Sequence, residues 1–206
     1  MKNPTVQSGA ILAVCASSLL LLMTIWPARV EAHVTGLMGG GFASGFLHPL
    51  SGLDHVLAMV AVGMCGAQLG SPAIWVLPVA FPMVMALGGM LGLIGVRLPG
   101  PEIGIAISAV VLGTAVLKEA KPRIELAAAL VGFFAIFHGY AHGTELPPGA
   151  SGMYFSLGFT IATGSLHAIG ILIGLIHRWP AGKAAMRAAG AIVAAGGCYF
   201  LWSAWQ

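Results

Sequence analysis

Two short stretches carry residue types that can do chemistry. The first reads His48-Pro49-Leu50-Ser51-Gly52-Leu53-Asp54-His55, two imidazoles and a carboxylate within eight positions. The second reads Phe137-His138-Gly139-Tyr140-Ala141-His142-Gly143-Thr144-Glu145. Imidazole nitrogen combined with carboxylate oxygen suits a borderline divalent metal such as nickel, cobalt or zinc. His138 and His142 are four residues apart, so on a helix they share a face and can bind one ion. Asp54 is the only aspartate in the chain. A charge at membrane depth costs roughly 2.5–3.5 kcal/mol on insertion scales, and such a residue marks a functional site by default. A lone histidine in this setting is more often a hydrogen-bonded core residue; several imidazoles and two carboxylates in two clusters argue against that reading.

The elements that position these groups are apolar helices. The 206 residues are 58% hydrophobic and only 7% charged, with a mean hydropathy of +0.95, which excludes an ordinary soluble domain. Apolar runs of spanning length fall at 36–69, 73–96, 102–117, 124–142, 153–176 and 188–205, and the expected fold is an all-α, polytopic membrane helix bundle. As one straight helix, 36–69 would run about 50 Å against a hydrocarbon core of roughly 30 Å. It must tilt, break or lie partly in the interface, and the break belongs at Pro49 to Gly52, with Ser51 as a candidate N-cap for the half-helix that follows. Asp54 and His55 then lie in that half-helix's first turn, where the carboxylate offsets the positive helix end that would repel a cation.

Residues 1–32 are expected to form a cleaved signal peptide, with Lys2 ahead of an apolar core and Val30-Glu31-Ala32 at the cleavage site. Cleavage there leaves His33 at a new amino terminus, where it is a secondary metal-path candidate. With 36–69 counted as one crossing, six transmembrane spans follow. Lys118, Lys121 and Arg123 then share one side with Arg178, Lys183 and Arg187, and only Arg97 lies in the loops of the other. The positive-inside rule puts those six in the cytoplasm and the mature N-terminus in the periplasm. The net charge of +3 sits in loops and is no sign of nucleic-acid binding. Gly41/Gly45, Gly88/Gly92, Gly139/Gly143 and Gly170/Gly174 have the spacing that lets helix backbones approach closely. Homo-oligomer formation is compatible with such faces. Cys65 and the methionines Met59, Met64, Met83, Met85 and Met90 read as packing residues.

On this topology 124–142 ends at the outer face, and the two clusters lie at similar depth in different spans. The 153–176 span carries a polar stripe of Thr160, Thr163, Ser165 and His167. His167 falls past the midplane, as a second waypoint or as a bonded core histidine. A faint echo between residues 41–48 and 132–138, in spans of opposite direction, fits an inverted repeat of three plus three spans.

The leader, the six spans, His48-x5-Asp54-His55 and the 137–145 motif together resemble the HupE/UreJ family of nickel permeases. The resemblance covers essentially the whole mature chain. It implies uptake of Ni2+, or Co2+, as the transported ion across the bacterial inner membrane, supplying hydrogenase or urease maturation without an organic cofactor. Carried over by position, the implied metal residues are His48, Asp54, His55, His138, His142 and Glu145. Residues 33–206 are then the six-span transport domain, with the bilayer and a divalent transition-metal ion as partners.

Two other classes stand beside this one. A membrane partner could bind the metal and sense it or hand it on, although the short loops offer no signalling domain. Gly149-Ala150-Ser151-Gly152 has the GxSG form of rhomboid-type intramembrane serine proteases, but the last span lacks the base histidine of that family. No GxxxxGK[ST] loop is present, so the chain does not itself hydrolyse nucleotide, and no enzymatic activity is expected.

Overall fold

The computed structural model describes residues 41–206 apart from 147 and 148. The expected signal peptide, His33 and the start of the 36–69 segment lie outside the described residues. Those described are helical with no strand: α1 (Phe42–Ser51), α2 (Leu53–Leu69), α3 (Ala73–Leu93), α4 (Pro101–Leu117), α5 (Ile124–Thr144), α6 (Gly152–Gly174) and α7 (Pro180–Ala204). A 3-10 turn, Leu175–Arg178, joins α6 to α7.

The break in the first apolar segment falls at Gly52, where the backbone is extended (φ −99°, ψ 113°) and the axes of α1 and α2 diverge by 86°. Pro49 lies in the last turn of α1. It supplies no N–H there, which weakens the helix end without displacing it. Ser51 does not cap α2. Its hydroxyl donates back to the His48 carbonyl at 2.6 Å, and Gly52 occupies the N-cap position.

Among the described residues, four helices are long and apolar enough to cross a membrane: α3, α5, α6 with its 3-10 turn, and α7. The bent α1–α2 pair passes the same test jointly, and α4 is a shorter apolar helix of 17 residues. The last helix starts at Pro180 rather than at 188, so Lys183 and Arg187 belong to its first turns and not to a loop. Proline is pre-organised for the first helical position, and the alanines that follow have the highest helix propensity. Apolar side chains such as Leu87, Met90, Leu126, Phe133, Leu157 and Leu172 project outward and are exposed. A bundle that is apolar outside as well as inside is built for lipid.

Glycines decide which helices touch. Gly88 and Gly92 of α3 face the Ile136 and Tyr140 carbonyls of α5, while Gly139 and Gly143 of α5 face Met85 and Gly89 of α3. Gly63 of α2 meets His167 and Gly170 of α6, Gly45 of α1 meets Phe155 of α6, and Gly113 of α4 meets Gly190 and Ala194 of α7. A Cβ at any of these positions would strike backbone, so each pair can approach this closely only because the residue is glycine. The order of these contacts makes α2, α4 and α6 run one way and α3, α5 and α7 the other. The loops that carry the basic residues therefore meet at one end, where Gln68, Glu119, Lys121, His177, Arg178 and Lys183 line a common cavity.

The methionines divide. Met59, Met64 and Met85 are buried core, whereas Met83 and Met90 face outward. Cys65 is buried as expected of a packing thiol.

Candidate metal centre

The two motifs converge. The α1–α2 bend turns His48 and His55 toward α5, whose last two turns carry His138 and His142 on one face. Ring centroids lie 4.8 Å apart for His48 and His142, 4.5 Å for His142 and His55, and 5.1 Å for His55 and His138. Four imidazoles from three helices therefore form a continuous ladder. The Glu145 side chain is 57% exposed and His48 24%, whereas His142 is 6% exposed, His55 12% and His138 not at all. The ladder leads from the surface into the bundle.

At its outer end, His48, His142 and Glu145 each offer a ligand atom, and these atoms all lie within 4.8 Å of one another. Glu145 Oε2 sits 2.9 Å from His48 Nε2 and 3.9 Å from His142 Nδ1. Glu145 follows the end of α5, so a helix exit rather than a helix face delivers the carboxylate.

Asp54 does not point at this trio. Its Oδ1 accepts from the His55 backbone N–H at 2.9 Å and from His55 Nδ1 at 3.0 Å. The second bond puts the proton on Nδ1 and leaves a lone pair on Nε2, which is buried without a partner. A carboxylate holding the far nitrogen of a ligating histidine is the usual outer-shell arrangement of a metal site. Gly52 makes room for the pair, because a Cβ there would come within 2.8 Å of Asp54 Oδ1 and 2.9 Å of His55 Nδ1. His138 is oriented in the same sense: Nδ1 donates to the Phe134 carbonyl at 3.0 Å and Nε2 is left buried and unpartnered. Both nitrogens of His142 are also without partners. Buried polar atoms are ordinarily hydrogen-bonded, and a group of convergent acceptors without donors is the electrostatic complement of a cation.

The walls are apolar. Phe155 packs 5.5 Å from His48, Phe159 4.3 Å from His142 and Phe81 5.2 Å from His138. A cleft of about 360 Å³ between α3, α5 and α6 reaches His142 from the side. The part played by these three phenylalanines was not legible in the sequence, where each is one apolar residue among many. The polar stripe of α6 divides: Thr163 and His167 are buried, whereas Thr160 and Ser165 are exposed and bonded to their own helix. Ser151 is exposed and makes no hydrogen bond to a histidine among the described residues, so the geometry adds nothing to a hydrolase reading.

Helices of this length and apolarity around a cluster of imidazoles define a multi-pass membrane protein with a polar interior centre. Residues 19–200 match the family described as HupE / UreJ protein. The chain is 44% identical over 175 residues to Protein HupE of Rhizobium leguminosarum bv. viciae, an alignment covering 85% of this chain and 91% of that one. It belongs to the HupE/UreJ family, as the two histidine motifs led us to expect. No solved structure matches it.

Proposed function

We propose that this protein takes up Ni2+, with Co2+ as the alternative cargo, across the bacterial inner membrane through the imidazole ladder between α1–α2 and α5. The observation that carries the reading is the convergence of unpartnered, buried nitrogens of His55, His138 and His142 behind the His48–His142–Glu145 trio. A hydrated cation meets the Glu145 carboxylate and His48 first, exchanges water for imidazole, and moves inward along the ladder. Asp54 acts as a positioning residue for His55, and its charge offsets that of the ion. The cluster is formed of nitrogen and carboxylate donors with apolar walls, which favours a borderline transition metal over Mg2+ or Ca2+. Binding must stay weak enough for release.

In this reading 36–69 is one crossing interrupted by the α1–α2 bend, α4 is the third crossing, and the chain spans six times with its mature N-terminus in the periplasm. The alternating helix directions and the gathering of basic residues at one end support that topology. The pairing of α3 with α5 is mirrored by that of α1–α2 with α6, as an inverted repeat requires, although the contacts of α2 with α3 and α4 have no comparable counterpart in the second half. Delivery of the metal to hydrogenase or urease maturation rests on family membership.

The test is radiolabelled Ni2+ uptake by cells expressing the chain, with Co2+ and Zn2+ as competitors, followed by uptake into liposomes containing the purified protein alone. Uptake should be lost in His142→Ala at unchanged protein level in the membrane. Wild-type uptake by that variant refutes the site. Binding of Ni2+ without movement into liposomes points instead to a protein that hands its ion to another permease.

A further inference from the structure

Thr163 and His167 of α6 form a polar group that the outer ladder does not use. They are four residues apart and share a helix face. Both side chains are fully buried, and neither the Thr163 hydroxyl nor either nitrogen of His167 has a hydrogen-bond partner. The other hydroxyls of the stripe behave differently. Thr160 donates to the Ser156 carbonyl at 2.7 Å and Ser165 to the Ile161 carbonyl at 2.8 Å, each closing a bond within its own helix. The same back-bond is open to a helical threonine in general. Yet Thr163, which has no access to water, does not make it.

The facing helix contributes a third polar atom. Pro82 lies inside α3 and has no N–H, so the carbonyl four residues earlier, that of Pro78, loses its helical donor. That carbonyl lies near the His167 ring without closing a hydrogen bond to it.

Phe81 lies between this group and the outer ladder. The ring is fully buried, with its centroid 5.2 Å from that of His138 and 5.3 Å from that of His167. Depth follows the same order. At 1.5 Å per residue, His138 lies about 9 Å from the outer end of α5, Phe81 about 18 Å from that of α3, and His167 about 22 Å from that of α6.

We propose that His167 and Thr163, with the freed Pro78 carbonyl, form an inner station for a divalent transition-metal ion, parted from the outer imidazole ladder by the Phe81 ring. The inference rests on the transport reading above. Its donor set is neutral, with one nitrogen and two oxygens and no carboxylate, so it holds the ion more loosely than the outer trio and favours release toward the opposite end of the bundle. The outer site governs capture, and the inner station governs the rate of passage.

The experiment is initial-rate uptake of radiolabelled Ni2+ by cells expressing the full chain, normalised to protein in the membrane. His167→Leu should lower the maximal rate by about tenfold or more, the scale on which loss of a metal-site partner acts, with half-saturating Ni2+ held within about twofold. His167→Cys keeps a ligand and should recover part of that rate. Thr163→Val, nearly isosteric, should lower it several-fold. Unaltered uptake by His167→Leu overturns the inner station. So does a rise in half-saturating Ni2+ like that of outer-site variants, or a His167→Cys no better than His167→Leu, which would mean that shape and not ligation matters. If the His167 variants do not reach the membrane, Thr163→Val decides, and full uptake by it overturns the proposal. A wild-type chain that accumulates no Ni2+ removes the transport reading and the inner station with it, whereas wild-type transport alongside an indifferent His167→Leu removes the inner station alone.

Discussion

Asp54→Asn and Asp54→Ala should differ, and the difference measures what the only aspartate does. Its Oδ1 accepts two bonds from His55, one from the backbone at 2.9 Å and one from the ring at 3.0 Å. An asparagine oxygen can accept both, but without charge. Hydrogen bonds to charged groups contribute about 1.5–3 kcal/mol net against about 1 for neutral pairs, so the substitution weakens the hold on His55 by about 1 kcal/mol. If His55 must keep its Nε2 lone pair aimed inward to bind the ion, that loss appears as a rise of about fivefold in half-saturating Ni2+. Alanine removes the acceptor altogether and frees both ring orientation and tautomer. Outer-shell losses of that kind cost about 10–100-fold in metal affinity or activity. The assay is the concentration dependence of initial Ni2+ uptake, with membrane content of each variant fixed by immunoblot. The graded order wild type, Asn, Ala is the expected result. Equal and complete loss in both variants would make Asp54 a direct ligand and refute the positioning argument. Wild-type behaviour in both would refute any role for the carboxylate.

Uptake should be full at neutral pH and fall as the outside pH drops below about 6, because protons compete for the imidazole lone pairs that bind the ion. Initial rates across pH at fixed membrane potential check this, and a rate that rises with acid would contradict ligand binding by neutral histidine. Gly139→Val should destabilise the fold, since a Cβ at Gly139 already comes within 2.7 Å of the Met85 carbonyl carbon and 2.8 Å of the Gly89 nitrogen across the α3–α5 contact. Overpacking of this kind costs about 1–3 kcal/mol, read as a lowered melting temperature of the detergent-solubilised protein. An unchanged melting temperature would mean that α3 and α5 do not pack through these glycines.

Local chemistry made much of this protein readable before any fold was known. A chain with continuous apolar runs near spanning length has to be helical in a bilayer, because every backbone group there must be hydrogen-bonded and the strands of a barrel would alternate apolar with polar residues. The four-residue spacing of His138 and His142 fixes a shared face, and Pro49 and Gly52 marked the place of the bend between α1 and α2. The start of the last helix was misread because alanine, glycine and two cations around 181–187 look like a loop to hydropathy, while Pro180 at the first helical position sets the boundary.

Pairing across helices was beyond the sequence. Small-residue spacing marks a face that can be approached closely, but not by which partner, and the choice of α3 for α5 and of α6 for α1 and α2 depends on complementary surfaces far apart along the chain. That pairing sets the four imidazoles side by side and brings Phe81 against both His138 and His167. It also divides the polar stripe of α6, because burial is a property of neighbours: Thr160 and Ser165 face outward and bond to their own backbone, whereas Thr163 and His167 are enclosed by the helices packed around them. The sequence by itself determined the solvent, the secondary structure and the kinds of donor atom available. Only the tertiary structure decided which of those donors share one space, since that depends on distances between residues nearly a hundred positions apart, such as His48 and Glu145.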